Sequence, residues 1–149
     1  MKKSAFTMIE LIFVIVILGI LATVAIPRFT ATRKDAEVSK IAMSIMTSAG
    51  EISSYAISQA KTDRNLSIMS NSIKSMEERG EAVLNDYEAK IKVGDVSNCV
   101  IVKIDSNATT DTLNINFSDA NGDSLCLGLQ SAINADEYPM RLRGASVQY

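Results

Sequence analysis

Apolar residues fill the beginning of the chain almost without interruption, from Phe6 to Ile26, and the single charged residue among them is Glu10. A helix of these 21 residues is long enough to cross a hydrocarbon core about 30 Å thick. Lys2 and Lys3 precede the run and would hold the N-terminus on the cytoplasmic side. The pattern therefore predicts a membrane-spanning helix with one unexpected carboxylate.

A second apolar pattern follows with a helical period. Its members recur every three or four residues and form one stripe: Ile41, Ile45, Ala49, Ile52 and Ala56. We therefore predict one long helix from near Phe6 to near Ala60, bent at Pro27, where proline removes a hydrogen-bond donor. Residues 6–27 would form the membrane half, and residues 28–60 would form the spine of a soluble head that spans 28–149.

Two further regions are predicted within the head. Residues 65–92 carry apolar residues at helical spacing, which predicts a second helical region: Met69, Ile73, Met76, Val83, Leu84 and Tyr87. From residue 97 to 149 the period changes to two, with strands predicted around 100–104, 113–117 and 125–129. One sheet face would pack on the spine helix: Val100, Val102, Ile104, Leu113, Ile115, Phe117, Leu125, Leu127 and Leu129. The expected fold class is α+β, with a small antiparallel sheet on a long helix.

The composition argues against several functions. The net charge is −2, with 15 basic and 17 acidic residues, so it gives no reason to expect nucleic acid as a general partner. The chain has no histidine, the commonest general base and transition-metal ligand. The serines have no histidine to activate them, and the carboxylates are scattered. We therefore predict neither an enzyme nor a cofactor.

Two cysteines, Cys99 and Cys126, are the only ones in the chain. In a protein that enters or crosses a membrane, such a pair suggests one disulfide formed in an oxidising compartment. Two buried free thiols are the alternative. Both cysteines fall on the outward phase of the predicted strands, which would place a bridge on the outer face or at an end of the sheet.

A short acidic segment allows two interpretations. Asp119, Asn121 and Asp123 present side-chain oxygens at alternate positions, as in the first part of a calcium loop, but no glutamate follows at the required distance. Asn121-Gly122 is also a strong two-residue hairpin signal. We favour the turn and keep the calcium site as the weaker alternative.

The N-terminal segment has two conventional interpretations. A secretory signal peptide would use Thr23-Val24-Ala25 as its cleavage site, with Ile26 as the new N-terminus. A plain membrane anchor would keep Met1. Neither needs a carboxylate at Glu10, which is costly in a membrane helix, at about 2.5–3.5 kcal/mol when central.

A third interpretation uses every residue of the segment. Lys2-Lys3-Ser4-Ala5 followed by Phe6-Thr7-Met8-Ile9-Glu10-Leu11 resembles the N-terminus of type IV prepilins and type II secretion pseudopilins. The resemblance implies a leader of residues 1–5, cleavage between Ala5 and Phe6, methylation of Phe6, and pairing of Glu10 with the N-terminal amine of a neighbouring subunit. Gly19 and Pro27 would be points of helix flexibility. Ala5 departs from the family, which usually has glycine there.

The resemblance implies a structural subunit that polymerises through its hydrophobic helix. Its expected partners are other copies of itself, other pilins, a prepilin peptidase and an inner-membrane assembly platform, with DNA bound at most by a whole filament during uptake. It would begin in the bacterial inner membrane with a cytoplasmic N-terminus and end in a surface pilus or a periplasmic pseudopilus. The alternative is a monomeric membrane-anchored or secreted periplasmic binding protein.

Overall fold

The computed structural model describes residues 6–106 and 110–142. It opens with one long helix, α1, which runs from Met8 to Gln59 and includes Pro27. The chain divides into two compact units, Met1–Ala36 and Glu37–Tyr149. The first unit contains the N-terminal part of α1, and the second contains the rest of α1 with all the later elements. The predicted domain boundary between 27 and 28 and the predicted bend at Pro27 stay predictions.

The second unit combines short helices with an antiparallel sheet. Its helices after α1 are α2 (Leu66–Met69), α3 (Asn71–Glu78) and α4 (Ser124–Ala132), followed by a 3₁₀ turn at Ala135–Glu137. Its strands are β1 (Ala82–Asn85), β2 (Glu88–Val93), β3 (Val96–Ser106), β4 (Asp111–Phe117) and β5 (Met140–Arg141). The strands pair in chain order and each pair is antiparallel. The predicted α+β class is confirmed.

The core of this unit lies between the spine part of α1 and the sheet. All five residues of the predicted stripe, from Ile41 to Ala56, are at most 3% exposed. On the sheet side, Val102 pairs with Ile115 and Ile104 pairs with Leu113, and all four are buried. Phe117 was expected to join them but is 38% exposed. The helical stripe and the two central strands therefore meet as their periodicities predict.

The prediction of a helical region over 65–92 is right for its first part, which contains α2 and α3, and wrong for its second part, which forms β1 and β2. Helix α3 ends at Glu78, and the chain reverses at Gly80, whose φ is +72°. The residues that follow form the β1–β2 hairpin, in which Ala82 is buried and Val83 is 58% exposed. The apolar residues Val83, Leu84 and Tyr87 fill too short a window for their spacing to separate a helix from a strand.

The third predicted strand is also wrong, because residues 125–129 belong to α4. Cys126 and Leu129 are fully buried and Ile133 is 5% exposed, whereas Leu127 is 52% exposed. Burial therefore follows spacings of three and four rather than two. Asp123 starts this helix, since its Oδ1 accepts hydrogen bonds from the backbone N–H groups of Leu125 and Cys126 at 2.8 and 2.9 Å. The alternating leucines predicted a strand, but the cap at Asp123 and the burial of every third or fourth residue favour a helix.

Candidate functional site

The N-terminal part of α1 exposes apolar side chains on every face. Phe13 is 66% exposed, Leu18 is 58% exposed, and even the least exposed large side chain, Ile17, is 40% exposed. The best 18-residue window of α1 has a mean hydropathy of 2.9 and none of it is buried. Its length and composition suit a membrane span, although a signal sequence near an N-terminus has the same properties. This surface requires an apolar environment, which residues 6–106 and 110–142 do not supply.

Glu10 has a partner within its own chain. Its Oε2 accepts hydrogen bonds from the backbone N–H and the hydroxyl of Thr7, both at 2.8 Å. The N–H of Glu10 donates in return to Thr7 Oγ1 at 3.3 Å. Thr7 immediately precedes the first residue of α1, Met8. The pair is therefore a capping box, in which threonine and glutamate satisfy each other's free backbone donors at a helix start.

Our interpretation of the sequence missed this cap, although the signal was present. Thr7-Met8-Ile9-Glu10 matches the pattern of Ser or Thr followed three residues later by Glu, directly before an apolar run. The cap gives Glu10 a purpose even in a chain that never meets another copy. It also leaves Glu10 Oε1 available, since among residues 6–106 and 110–142 no donor to that oxygen is found.

The other predicted residues of this segment are placed as follows. Ala5 lies outside the described residues, and Phe6 precedes the helix with 85% of its surface exposed. A Cβ added to Gly19 would meet no atom within 4 Å. The absence of a side chain at Gly19 is therefore not required by packing within this chain. Cleavage, methylation and flexibility at these positions stay predictions.

Cys99 and Cys126 form a disulfide, with their Cα atoms 5.7 Å apart. The bridge joins β3 to α4 and both cysteines are fully buried, so the expected position on an outer sheet face between two strands is wrong. Cys99 lies next to Val100, the first residue of β3 that pairs with β4. Gln130 holds the surrounding backbone, since its Nε2 donates to the carbonyls of Cys99 and Ser118 at 3.1 and 2.7 Å. The bridge therefore ties the C-terminal helix to the sheet.

The acidic segment forms a turn and a helix cap. The N–H of Asp123 donates to the carbonyl of Ala120 at 2.8 Å, and Asn121 and Gly122 have φ of 49° and 78°. Asp119 Oδ1 accepts from the N–H of Asn121 at 2.9 Å, while Asp123 caps α4. The predicted turn is confirmed but leads into a helix rather than a hairpin. Among the described residues, no group of three or more histidine, cysteine, aspartate or glutamate side chains could hold a metal.

Carboxylates also join the spine helix to the elements packed on it. Glu51 Oε2 accepts from the hydroxyl of Ser70 at 2.5 Å and from the N–H of Ser72 at 3.0 Å, at the start of α3. Partial burial raises the pKa of Glu51, but these hydrogen bonds outweigh it and hold the pKa below its ordinary value.

A second such carboxylate, Glu81, binds two cations. Arg79 and Lys40 approach its two oxygens at 2.7 Å each. The hydrogen bond from Arg79 is the main reason that the pKa of Glu81 is lowered, against partial burial and with help from Lys40. Both carboxylates therefore favour the folded head when they are ionised.

In comparisons with known proteins, the match is confined to the N-terminal segment of the chain. Residues 1–26 match the family model described as the prokaryotic N-terminal methylation motif. Neither a curated protein nor a solved structure matches the chain. The match covers the leader, Phe6, Glu10 and the apolar run, which are the residues on which the resemblance depends. The motif and the exposed apolar helix fit a membrane-anchored protein, and the motif supports the resemblance of this segment to type IV pilins and pseudopilins.

Proposed function

We propose that this protein is a structural subunit of a helical filament. It is cut by a prepilin peptidase between Ala5 and Phe6, methylated on Phe6, and drawn from the inner membrane by an assembly platform. The observation that supports this most is the fully exposed apolar surface of α1, joined to the methylation motif at residues 1–26. A surface of this kind can exchange lipid for the same helix of other copies, so its role is assembly rather than catalysis.

The pairing of Glu10 with a neighbour's N-terminal amine would set the register of such a filament. At about 4 Å the attraction is roughly 4 kcal/mol at an effective dielectric of 20, offset in part by the cost of removing both charges from water. The capping box is compatible with this pairing because it uses Oε2, and a carboxylate can accept further hydrogen bonds at Oε1.

The cap and the pairing are separated by two substitutions. Glu10→Gln keeps an acceptor for Thr7 but removes the negative charge, whereas Thr7→Val removes the hydroxyl of the cap and keeps the charge. We expect Glu10→Gln to insert in the membrane at the normal level and to yield few or no filaments. Thr7→Val should still form them. The readouts are the membrane fraction of the subunit and the amount recovered in purified filaments.

The opposite pattern would overturn the pairing. If Glu10→Gln forms filaments at the normal level and Thr7→Val does not, Glu10 acts as a helix cap and the intermolecular ion pair is wrong. If Thr7→Val alone fails to insert, the apolar helix needs the cap to enter the membrane, and the filament yield of Glu10→Gln then decides the pairing.

A monomeric binding protein is the second candidate, and the capping box favours it. Because Thr7 satisfies Glu10 locally, the carboxylate no longer requires a second copy of the chain. Intact-mass measurement of the mature protein separates the candidates. An N-terminus at Phe6 supports the filament subunit, Met1 supports a simple anchor, and Ile26 supports a secreted protein.

Assignment to one machine is the finer part of the proposal. The disulfide leans towards a pilus or a competence filament, since the resemblance implies that major secretion pseudopilins often have none. Purified filaments distinguish the possibilities: long surface fibres support a pilus, and short periplasmic fibres support a secretion pseudopilus.

A further inference from the structure

The loop between α1 and α2 carries an acceptor sequence for a covalent modification. Asn65-Leu66-Ser67 is an asparagine followed by a residue other than proline and then a serine, the triad that receives N-linked glycans. Asn65 is exposed and lies just before the first residue of α2. Asn65 is the N-cap of α2, a role that aspartate, serine or threonine would also fill, so the cap alone does not account for the full triad.

The side chain of Asn65 is held in one orientation by Ser67. Its Oδ1 accepts from the backbone N–H of Ser67 at 3.0 Å and from the hydroxyl of Ser67 at 2.8 Å. Since both donors need an oxygen acceptor, they fix which end of the amide faces Ser67. Nδ2, the atom that a glycan would bond, is the other end of the amide, and among the described residues it donates no hydrogen bond.

The hydroxyl also prepares the amide chemically. A hydrogen bond to Oδ1 draws electron density towards that oxygen and makes the protons on Nδ2 easier to remove. Asp63 stands two residues before Asn65, and its Oδ1 accepts from the N–H of Asn65 at 3.0 Å. The hydrogen bond therefore holds the carboxylate of Asp63 close to the backbone of Asn65. A transferase can recognise this negative charge beside the acceptor triad.

A second acceptor triad in the chain provides a contrast. Asn116-Phe117-Ser118 lies at the end of β4, where Asn116 pairs with Ile101 and the N–H of Ser118 donates to the carbonyl of Cys99 at 3.2 Å. The residue two before it is Asn114, which carries no charge. Backbone pairing with β3 keeps this triad extended against the sheet. A third triad, Asn107-Ala108-Thr109, lies outside the described residues and also has an aspartate, Asp105, two residues before its asparagine.

We propose that Asn65 is an acceptor of an N-linked glycan, added by a bacterial oligosaccharyltransferase that requires an acidic residue two positions before the asparagine. Nδ2 attacks the anomeric carbon of a sugar carried on a lipid pyrophosphate. The new C–N bond forms as the bond from that carbon to the phosphate oxygen breaks. The amide proton passes to a base of the transferase, and the lipid pyrophosphate leaves. The inference rests on the proposed function only in requiring that the head crosses the membrane.

The test uses the full chain, expressed in a bacterium that contains such a transferase and its lipid-linked glycan, together with a known acceptor protein. Trypsin cleavage after Arg64 and Lys74 releases residues 65–74, separate from the peptide 104–141 that holds the other two triads. We expect peptide 65–74 to carry the mass of one glycan.

Matched variants assign that mass to the triad. Asn65→Gln, Ser67→Ala and Asp63→Asn should each abolish it, and Ser67→Thr should retain it. Asn71→Gln alters the other asparagine of the same peptide, which is outside any acceptor triad, and should leave the glycan in place.

Two results would overturn the inference, and they differ in their meaning for the filament. An unmodified peptide 65–74, in protein whose Cys99 and Cys126 are bridged and beside a glycosylated control acceptor, overturns the glycan site alone. Free thiols at both cysteines, with no glycan, would show that the head never left the cytoplasm. That result would contradict both the glycan site and the proposed membrane topology.

Discussion

The two parts of α1 belong to one helix but face opposite packing problems. In the N-terminal part, every large apolar residue from Phe6 to Ile26 is at least 40% exposed. In the spine part, the apolar residues Ile41, Ile45 and Ile52 are at most 2% exposed. A helix that is apolar all round needs an apolar environment on all sides, whereas one with a single stripe needs a single partner. The described part of the chain supplies the partner for the second part and buries none of the apolar window in the first.

The same substitution in each part should have very different consequences. Ile52→Ala removes a fully buried side chain and should lower the free energy of unfolding of the head by about 2–5 kcal/mol. Ile15→Ala, at a position that is 56% exposed in the chain, should leave it unchanged within about 0.5 kcal/mol. Urea unfolding of the detergent-solubilised protein, followed by circular dichroism, measures both. Equal losses would show that the two parts of α1 do not differ as described.

The disulfide offers a second way to separate the parts. Replacing both Cys99 and Cys126 with alanine opens a loop with a sequence separation of 27. The head should lose about 3–4 kcal/mol of stability on the chain-entropy model, while membrane insertion of the N-terminal segment should continue. Urea unfolding measures the loss of head stability, and membrane fractionation measures the insertion of the N-terminal segment. A variant with an unchanged urea midpoint would show that the bridge adds no stability.

Acid should weaken the head through Glu51. Its pKa is lower in the folded protein than in the unfolded chain, so its stabilising effect is complete above the unfolded value and is lost as pH falls through the folded value. Glu51→Gln keeps a hydrogen-bond acceptor but does not titrate, and should flatten the acid limb of the stability curve. Urea midpoints between pH 3 and pH 7, roughly the range over which a glutamate titrates, provide the measurement. Identical curves of urea midpoint against pH for the unaltered protein and Glu51→Gln would exclude this role. Glu81→Gln is the matched variant, since the pKa of Glu81 is also lowered in the folded head.

The smallest effect concerns two glycines, one in each part of α1. An added Cβ would meet no atom within 4 Å at either Gly19 or Gly50. Gly50→Ala should therefore stabilise the head by about 0.5–1 kcal/mol through helix propensity. Gly19→Ala should leave head unfolding unchanged and reduce filament yield, because the proposed filament uses Gly19 as a point of helix flexibility. Normal yield from Gly19→Ala would remove Gly19 from the assembly residues.

Long patterns were predicted from the sequence more reliably than short ones. The stripe from Ile41 to Ala56 extends over four turns and the alternation in β3 and β4 spans two paired strands, so each has one consistent interpretation. The windows at 83–87 and 125–129 are too short, and each accommodates either period. Of the candidate site, the apolar run and Glu10 were identified, whereas the local cap by Thr7 was overlooked.

The amino-acid sequence by itself determined the apolar N-terminal segment, its charge at Glu10, the buried stripe of the spine and the α+β class, because each follows from composition or from a long period. Only the tertiary structure decided that 82–93 forms a hairpin, that 124–132 forms a helix, and that the Cys99–Cys126 bridge is buried between β3 and α4. These outcomes depend on which neighbours bury a short apolar segment and on which side chain caps it. Contacts between residues distant in the chain determine both.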